Sequence, residues 1–293
     1  MVYRKKILLA LIEEFGGELS PTDLQKLLFI LSDKQIDSKF DFVPYKFGCF
    51  SFQAMADKNN LIKEGYLENT KNWKTIITNA NYIDTLKDDD KKSIQKLKLQ
   101  YKNASTNDLI RYVYLNYPYF AINSEIAHKH LSSNELKLIE KFRPKDSNES
   151  LFTIGYEGRS LEKYLNILIK ENIKVLCDVR KNPLSRKYGF AKKTLQNACE
   201  SVNIKYIHLP ELGIVSDKRK NLKSQADYDS LFIDYEKTVL PNQNKAIQLI
   251  YDLQKNYGRV ALTCYEEMPK QCHRTRVANV VHNLENSIPL KHL

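Results

Sequence analysis

Four groups of ionisable and polar residues stand out in the second half of the chain, each directly after a short apolar run. They are Tyr156, Glu157 and Arg159, then Asp178, Arg180, Ser185 and Arg186, then Glu211, and finally Cys264, Glu266, Cys272, His273 and Arg274. Arginine forks bind phosphate and carboxylate groups in pairs, carboxylates activate water, and a cysteine beside a histidine is a potential nucleophile. These residue types together predict an anion-binding and catalytic site, provided that the fold brings them to one place.

The apolar runs are short enough to be buried strands, and helical patterns separate them. Runs at 151–154, 175–179, 205–209 and 260–264 alternate with amphipathic segments at about 160–172, 191–202, 227–255 and 272–283. Strands that alternate with helices form parallel sheets joined by crossovers, and sites form at the carboxyl ends of such strands. We therefore expect an α/β, Rossmann-like domain over residues 149–293, with the four groups at one edge of its sheet.

The arginines are the first candidates for holding an anionic substrate, because rigid loops beside helix N-termini add exposed amides to the guanidinium forks. The predicted substrate-binding residues are Tyr156, Arg159, Arg180, Ser185, Arg186, His208 and Arg274. In the alternative interpretation, Arg180 and Arg274 pair with Asp178 or Glu266 and only brace the loops.

Two chemistries remain open for the catalytic residues. Carboxylates Asp178, Glu211 or Glu266 would activate water, as in a hydrolase that acts on nucleic acid. Alternatively Cys272, at a predicted helix start beside His273, would be a stabilised thiolate in a thiol enzyme related in logic to rhodaneses. Against the thiol, the loop lacks phosphate-cradling glycines, and free cysteines are more often packed than reactive.

A zinc site is the third arrangement that these residue types suggest. Its ligands would be Cys264, Cys272, His273 and His208. The wide gap between the two cysteines and the adjacent Cys-His pair fit no common ligand spacing, which argues against zinc. No cofactor is firmly implied, although a divalent metal is compatible with the carboxylate mechanism.

The first half of the chain predicts helices followed by a hairpin. Helical patterns near residues 7–15, 21–30 and 52–63 precede a hairpin pattern at 66–78, which is the order of a winged helix over residues 1–85. Lys58, Lys63, Lys71 and Lys74 would then meet phosphates, although such modules also mediate protein contacts. Residues 86–148 predict a helical connector that ends in a polar linker.

Composition narrows the partners and the compartment. The 293 residues carry 46 Lys+Arg and 35 Asp+Glu, a formal charge of +11, which favours nucleic acid as a partner. Five scattered cysteines argue against a disulfide framework. No apolar run approaches the ~20 residues of a membrane span, so the sequence predicts a cytoplasmic protein with no membrane partner.

The ordered motifs of the second half resemble a known family. They are Thr153-Ile154-Gly155-Tyr156, Asp178-Val179-Arg180 with Pro183, Ser185 and Arg186, Tyr206-Ile207-His208-Leu209 with Leu212-Gly213, and Cys264 to Arg274 with Glu266, Pro269, Cys272 and His273. This set is similar to the domain-of-unknown-function 488 family of bacteria and archaea. The resemblance implies an α/β domain with a polar pocket at these positions.

The first half looks like the longer members of that family and is weakly similar to antitoxin-like domains. The latter likeness favours a protein partner or a sensing role. In the second half, many relatives carry histidine and a small polar residue where this chain has Tyr156 and Glu157, so no imidazole role is transferred there.

We therefore expect an enzyme that acts on nucleic acid or a nucleotide, as a hydrolase or a base-processing enzyme, in anti-phage defence. The alternatives are a non-catalytic sensor of DNA or nucleotides and a thiol enzyme that uses Cys272. Substitution of Asp178 or Glu266 would abolish turnover in the first case, and substitution of Cys272 alone would do so in the third.

Overall fold

Two compact units make up the chain. The computed structural model describes residues 1–77, 80–219 and 222–293, and its contacts separate into Met1–Arg143 and Pro144–Leu293. The division falls at the start of the polar segment that predicted a linker. We describe each unit by itself.

The first unit is mainly helical. Its helices are α1 (Tyr3–Glu14), α2 (Pro21–Lys34), α3 (Phe52–Lys63), α4 (Asp88–Tyr101), α5 (Thr106–Asn116), α6 (Ala127–His130) and α7 (Ser133–Glu140). Four short strands form two antiparallel pairs, β1 (Glu18–Leu19) with β4 (Trp73–Lys74) and β2 (Val43–Tyr45) with β3 (Gly48–Phe50). The β2–β3 hairpin between the second and third helices had not been predicted.

The sequence pattern locates the first three helices well. The hydroxyl of Ser20 accepts a hydrogen bond from the Asp23 amide at 3.1 Å, and Pro21 occupies the first position of α2. After α3, Leu67 and Thr75 form an isolated antiparallel bridge within the hairpin that residues 66–78 predicted. Thr78 itself lies outside the described residues.

The sequence predicted a helical connector over residues 86–148. Instead, residues 86–143 belong to the first unit, and residues 144–148 begin the second. The apolar faces of α4 and α5 explain the difference, because Leu97 and Val113 are buried and both helices pack on α2. Helical periodicity identifies such a buried face but does not show which helix covers it.

Lys58 was predicted to meet phosphate and is instead only 5% exposed. Its ammonium donates to the carbonyls of Thr70 and Lys71 at 3.0 and 2.8 Å and lies 5.3 Å from the centre of the Trp73 ring. It therefore braces the hairpin after α3. Lys74 pairs with Glu68 at 2.8 Å.

The second unit alternates strands and helices as the sequence predicted. Its elements are β5 (Ser150–Gly155), α8 (Leu161–Lys170), β6 (Val175–Asp178), α9 (Lys192–Ser201), β7 (Lys205–His208), α10 (Gln225–Thr238), α11 (Asn244–Tyr257), β8 (Arg259–Cys264), α12 (His273–Leu284) and β9 (Leu290–His292). The five strands form one parallel sheet in the order β7-β6-β8-β5-β9. The predicted α/β class with a parallel sheet is confirmed.

Both faces of this sheet are covered by helices. One face buries Val175, Cys177 and Leu262 in a cluster with residues of α10, α11 and α12, including Tyr235 and Val277. Residues on the opposite face alternate with these along the strands, and α8 packs there through a hydrogen bond of 2.7 Å from its Tyr164 hydroxyl to Thr263. Burial of both faces explains why the strands read as continuous apolar runs.

Two details of this unit differ from the prediction. The long helical section expected over 227–255 consists of two helices, α10 and α11, and the break falls at Pro241, which cannot continue a helix. The edge strand β9 was not predicted, since three residues are too few to show a period.

None of the helices among the described residues is both long and apolar enough to cross a membrane.

Candidate functional site

The carboxyl ends of the three central strands lie side by side. In the sheet register Asp178 is opposite Thr263 and Gly155 is opposite Cys264, so β6, β8 and β5 end at the same edge. The fold thus gathers the groups that follow these strands. In open parallel sheets, ligands commonly bind outside this edge.

The loop after β8 passes directly over Gly155. A Cβ atom on this residue would lie 1.8 Å from the carbonyl oxygen of Glu266, so only glycine fits. Arg274 holds the same loop from α12, donating to the carbonyls of Glu266 and Glu267 at 2.5 and 2.9 Å. Arg274 is fully buried, so its geometry favours the bracing interpretation over the anion-binding one.

Asp178 and Arg180 form a buried ion pair at the end of β6. The Asp178 carboxylate accepts from Arg180 Nε at 2.8 Å, from Arg180 Nη2 at 2.5 Å and from the Tyr206 hydroxyl at 2.5 Å. Arg180 Nη1 also donates to the Tyr156 hydroxyl and to the Phe190 carbonyl, both at 2.9 Å. The guanidinium has one N–H group left beyond these contacts.

This pairing limits what either residue can do. Although burial opposes it, the contact with Asp178 raises the pKa of Arg180 above its usual value. Both oxygens of Asp178 accept hydrogen bonds from Arg180 and Tyr206, which leaves the carboxylate poorly placed to activate water. Tyr156 also stacks on Phe190 with ring centres 4.2 Å apart. The residue predicted to bind substrate therefore packs against the protein as well.

Removal of the Tyr206 hydroxyl tests this network. Tyr206→Phe should lower the free energy of unfolding by about 2 kcal/mol, because the carboxylate loses a charge-assisted hydrogen bond in a buried setting. Urea titration of both proteins measures the difference. An unchanged midpoint would mean that the hydroxyl bond contributes nothing to the pair.

Cys264, Cys272 and His273 form a second buried cluster beside the pair. Cys264 Sγ lies 3.7 Å from His273 Nδ1, and His273 Nε2 lies 2.9 Å from the Val179 carbonyl oxygen. A carbonyl only accepts, so Nε2 carries the proton that is donated to Val179. The other ring nitrogen, Nδ1, therefore faces the Cys264 sulfur.

The two thiols of the cluster differ in acidity. Burial opposes ionisation of Cys264, yet a hydrogen bond from Cys272 and the electrostatic effect of the neighbouring His273 bring its pKa well below the usual value. Burial raises the pKa of Cys272 well above its usual value, and the adjacent Cys264 sulfur raises it further. Cys264 is thus the more acidic thiol of the two.

Glu266 links the cluster to a partly exposed arginine. Its Oε2 lies 3.4 Å from Cys264 Sγ, whereas its Oε1 forms an ion pair with Arg219. Glu266 is 7% exposed, and the side chain of Arg219 is 29% exposed. These two residues connect the buried sulfur with the surface.

The remaining predicted residues lie further out or bind elsewhere. His208 Nε2 donates to the Arg180 carbonyl at 2.9 Å, and Ser185 Oγ accepts from the Lys187 amide at 3.2 Å. Arg159 is half-buried, and its Nη1 has no hydrogen-bond partner. Glu211 and Arg186 are exposed.

Two contributors had not been proposed as site residues from the sequence. Tyr206 contacts Asp178, and Arg219 contacts Glu266. The segment of Tyr206 was one of the motifs of the family resemblance, but Tyr206 itself was given no role in the site. Tyr206 did lie in the strand predicted over residues 205–209. No local signal distinguished Arg219 from the other cations of its basic segment.

The second unit is therefore an α/β domain with a five-stranded parallel sheet and a buried Cys-Cys-His cluster at the carboxyl edge. The model of one family, the domain of unknown function DUF488, matches residues 160–281, which include Asp178, Cys264 and Cys272. This confirms the C-terminal part of the resemblance, while no family model matches the first unit. Searches of curated proteins and of solved structures gave no match.

Proposed function

We propose that the second unit is a thiol-dependent hydrolase in which Cys264 is the nucleophile and His273 exchanges its proton. The carrying observation is that Cys264 Sγ lies 3.7 Å from His273 Nδ1 while Nε2 is anchored to the Val179 carbonyl. A nucleophile, a base and a group that orients the base are the three parts of activated nucleophiles on many folds. Cys272 takes a supporting role in place of the nucleophilic role that the sequence suggested.

The proposed reaction has two balanced steps. The Cys264 thiolate attacks an electrophilic centre R of a substrate R–X, an S–R bond forms, and X leaves with the bonding electrons and the proton from imidazolium His273. Water then attacks R, and His273 accepts one of its protons as the S–R bond breaks and the thiolate is restored. The products are R–OH and HX, so no oxidant or reductant is consumed.

An anionic substrate, nucleic acid or a nucleotide, is supported by the charge of the chain. The formal charge is +11, and Arg219 and Arg159 are cations on the loops around this edge of the sheet. A role in anti-phage defence, and DNA binding by the first unit, stay predictions.

Cys264→Ser should lower turnover by about three orders of magnitude or more, because loss of an activated nucleophile removes the covalent route. The measurement is mass-spectrometric analysis of plain and base-modified DNA, RNA and nucleotides after incubation with each protein, with and without Mg²⁺. All five cysteines are buried, so the difference in pKa should make Cys264 the first that iodoacetamide modifies at neutral pH. Cys199→Ala, which removes a buried thiol from α9, is the matched control and should retain turnover.

Three outcomes would replace the proposal. Full turnover by both Cys264→Ser and Cys272→Ser excludes covalent catalysis by these two thiols and returns the carboxylate mechanism with Glu266 or Glu211 to first place. Loss of turnover in Cys272→Ser together with full turnover in Cys264→Ser would assign the nucleophile to Cys272. Binding of nucleic acid without any chemical change in wild-type protein would establish the non-catalytic sensor.

A further inference from the structure

The three donor atoms of the Cys264, Cys272 and His273 cluster are close enough to share one ion. They all lie within 4.8 Å of one another, and all three residues are buried. A tetrahedral zinc ion with Zn–S of about 2.3 Å and Zn–N of about 2.0 Å needs its ligand atoms roughly 3.5–4 Å apart. Shifts of the donor atoms by about an ångström or less would therefore place them at three corners of a tetrahedron around one ion.

The imidazole ring of His273 is oriented as in histidines that bind metal ions. Histidine ligands commonly donate their second ring nitrogen to a carbonyl or carboxylate, which fixes the ring and leaves the first nitrogen free to coordinate. In this protein Nε2 donates to the Val179 carbonyl at 2.9 Å, and Nδ1 faces the sulfur of Cys264. The protein backbone thus fixes the ring in the orientation that coordination through Nδ1 would need.

A fourth ligand is available beside the three. Glu266 Oε2 lies 3.4 Å from Cys264 Sγ, and Arg219 occupies the other carboxylate oxygen. Either Glu266 or a water molecule would complete a tetrahedral set. Two sulfurs and one imidazole select zinc-like cations over Mg²⁺ and Ca²⁺, which prefer oxygen.

We infer that Cys264, Cys272 and His273 bind one thiophilic divalent cation such as Zn²⁺, and that the bound ion withholds the Cys264 sulfur from substrate. The binding step stands on geometry alone, whereas its effect on turnover rests on the proposed thiol function. A coordinated thiolate donates to the metal the electron pair that would attack R. The cluster would therefore exist in a metal-bound, inactive form and a metal-free, active form.

The uncommon ligand spacing has a structural explanation. Common zinc motifs place paired ligands within one turn or hairpin, so a short fixed spacing is sufficient. Here Cys264 ends β8 and Cys272 immediately precedes α12, and the intervening loop is held by Arg274 and Gly155. The sheet edge and the helix start create the proximity that spacing alone does not reveal.

Metal binding is tested with the full chain freed of metal by chelation. Addition of Co²⁺ should give a sulfur-to-metal charge-transfer band and tetrahedral ligand-field bands that saturate at one equivalent, and Zn²⁺ should displace them. Cys272→Ser and His273→Ala should each weaken Co²⁺ binding about a hundredfold or more, since each loses a direct ligand. Cys199→Ala should bind as the wild type does.

A second readout starts from the wild-type protein, whose folding no substitution affects. One equivalent of Zn²⁺ should slow iodoacetamide labelling of Cys264 in wild-type protein at least about tenfold, because the lone pair is coordinated. In Cys272→Ser the labelling rate should be the same with and without Zn²⁺. Saturation without a charge-transfer band, or equal Co²⁺ affinity in all variants, would overturn the site.

Failure of the two proposals can be told apart. If Cys264→Ser retains turnover while Co²⁺ still binds the wild type through sulfur, the thiol function fails and the metal site stands. If turnover depends on Cys264 and one equivalent of Zn²⁺ neither binds nor inhibits, the metal inference fails and the function stands. Zinc that binds through the cluster and leaves a Cys264-dependent turnover unchanged would refute the inactive metal-bound form.

Discussion

Replacing Gly155 with alanine should destabilise the second unit by about 3 kcal/mol or more, close to the whole margin of many domains. The new methyl group would lie 1.8 Å from the Glu266 carbonyl oxygen and 2.6 Å from its carbon. Both are backbone atoms, so no side-chain rotation relieves the collision. The loop must move away from β5, and Arg274 must give up contacts with the carbonyls that it holds there.

Gly158→Ala is the matched control. No atom within 4 Å would meet its Cβ, but its φ of +72° lies in the left-handed region. It should therefore cost only about 1–2 kcal/mol of backbone strain. Thermal unfolding followed by circular dichroism compares the two. Equal losses in both variants would show that the close approach at Gly155 adds nothing beyond backbone conformation.

A loss of similar size, about 3–5 kcal/mol, is expected when Asp178 is changed to asparagine. The carboxylate is fully buried and receives two donors from the Arg180 side chain together with the Tyr206 hydroxyl. The amide of asparagine has one oxygen and no charge, so the guanidinium would remain buried without its counter-ion. Urea unfolding at neutral pH gives the free-energy difference.

A double variant measures how strongly the Asp178 and Arg180 side chains depend on each other for stability. Arg180→Met in the Asp178→Asn background should restore part of the lost stability, because the buried charge without a partner is then removed. Additive losses in the double variant would show that the two side chains act independently. The experiment also matters for function, because loss of turnover in Asp178→Asn would carry catalytic meaning only if the variant remains folded.

The sequence indicated the sheet edge because strand-end residues recur in an alternating pattern. That pattern requires the carboxyl ends of parallel strands to face one way, which brings Asp178 and Cys264 to one edge without any knowledge of strand order. The order β7-β6-β8-β5-β9 itself depends on contacts between distant residues. This strand order determines which side-chain groups are neighbours, and no pattern in a single sequence predicts it.

The choice of thiol shows the same limit at the level of single residues. Cys272 and His273 are adjacent in sequence, which suggested a direct partnership. Neighbouring residues at a helix start project in different directions, whereas Cys264 reaches the His273 ring from the end of β8. The buried ion pair of Asp178 and Arg180, by contrast, was one of the alternatives predicted from the sequence, because the two residues are only two positions apart at the end of one strand.

The position of β5 has a consequence for the order in which the second unit assembles. The strand lies between β8 and β9, and its Thr153 hydroxyl meets His292, 139 residues later, at 2.7 Å. Such pairing closes long loops before any contact rewards the lost chain entropy, which slows folding. While a ribosome is still making the last two strands, β5 has neither neighbour and both of its edges present unpaired backbone N–H and C=O groups. A nascent chain stalled before β8 should therefore be a substrate for chaperones and prone to aggregation.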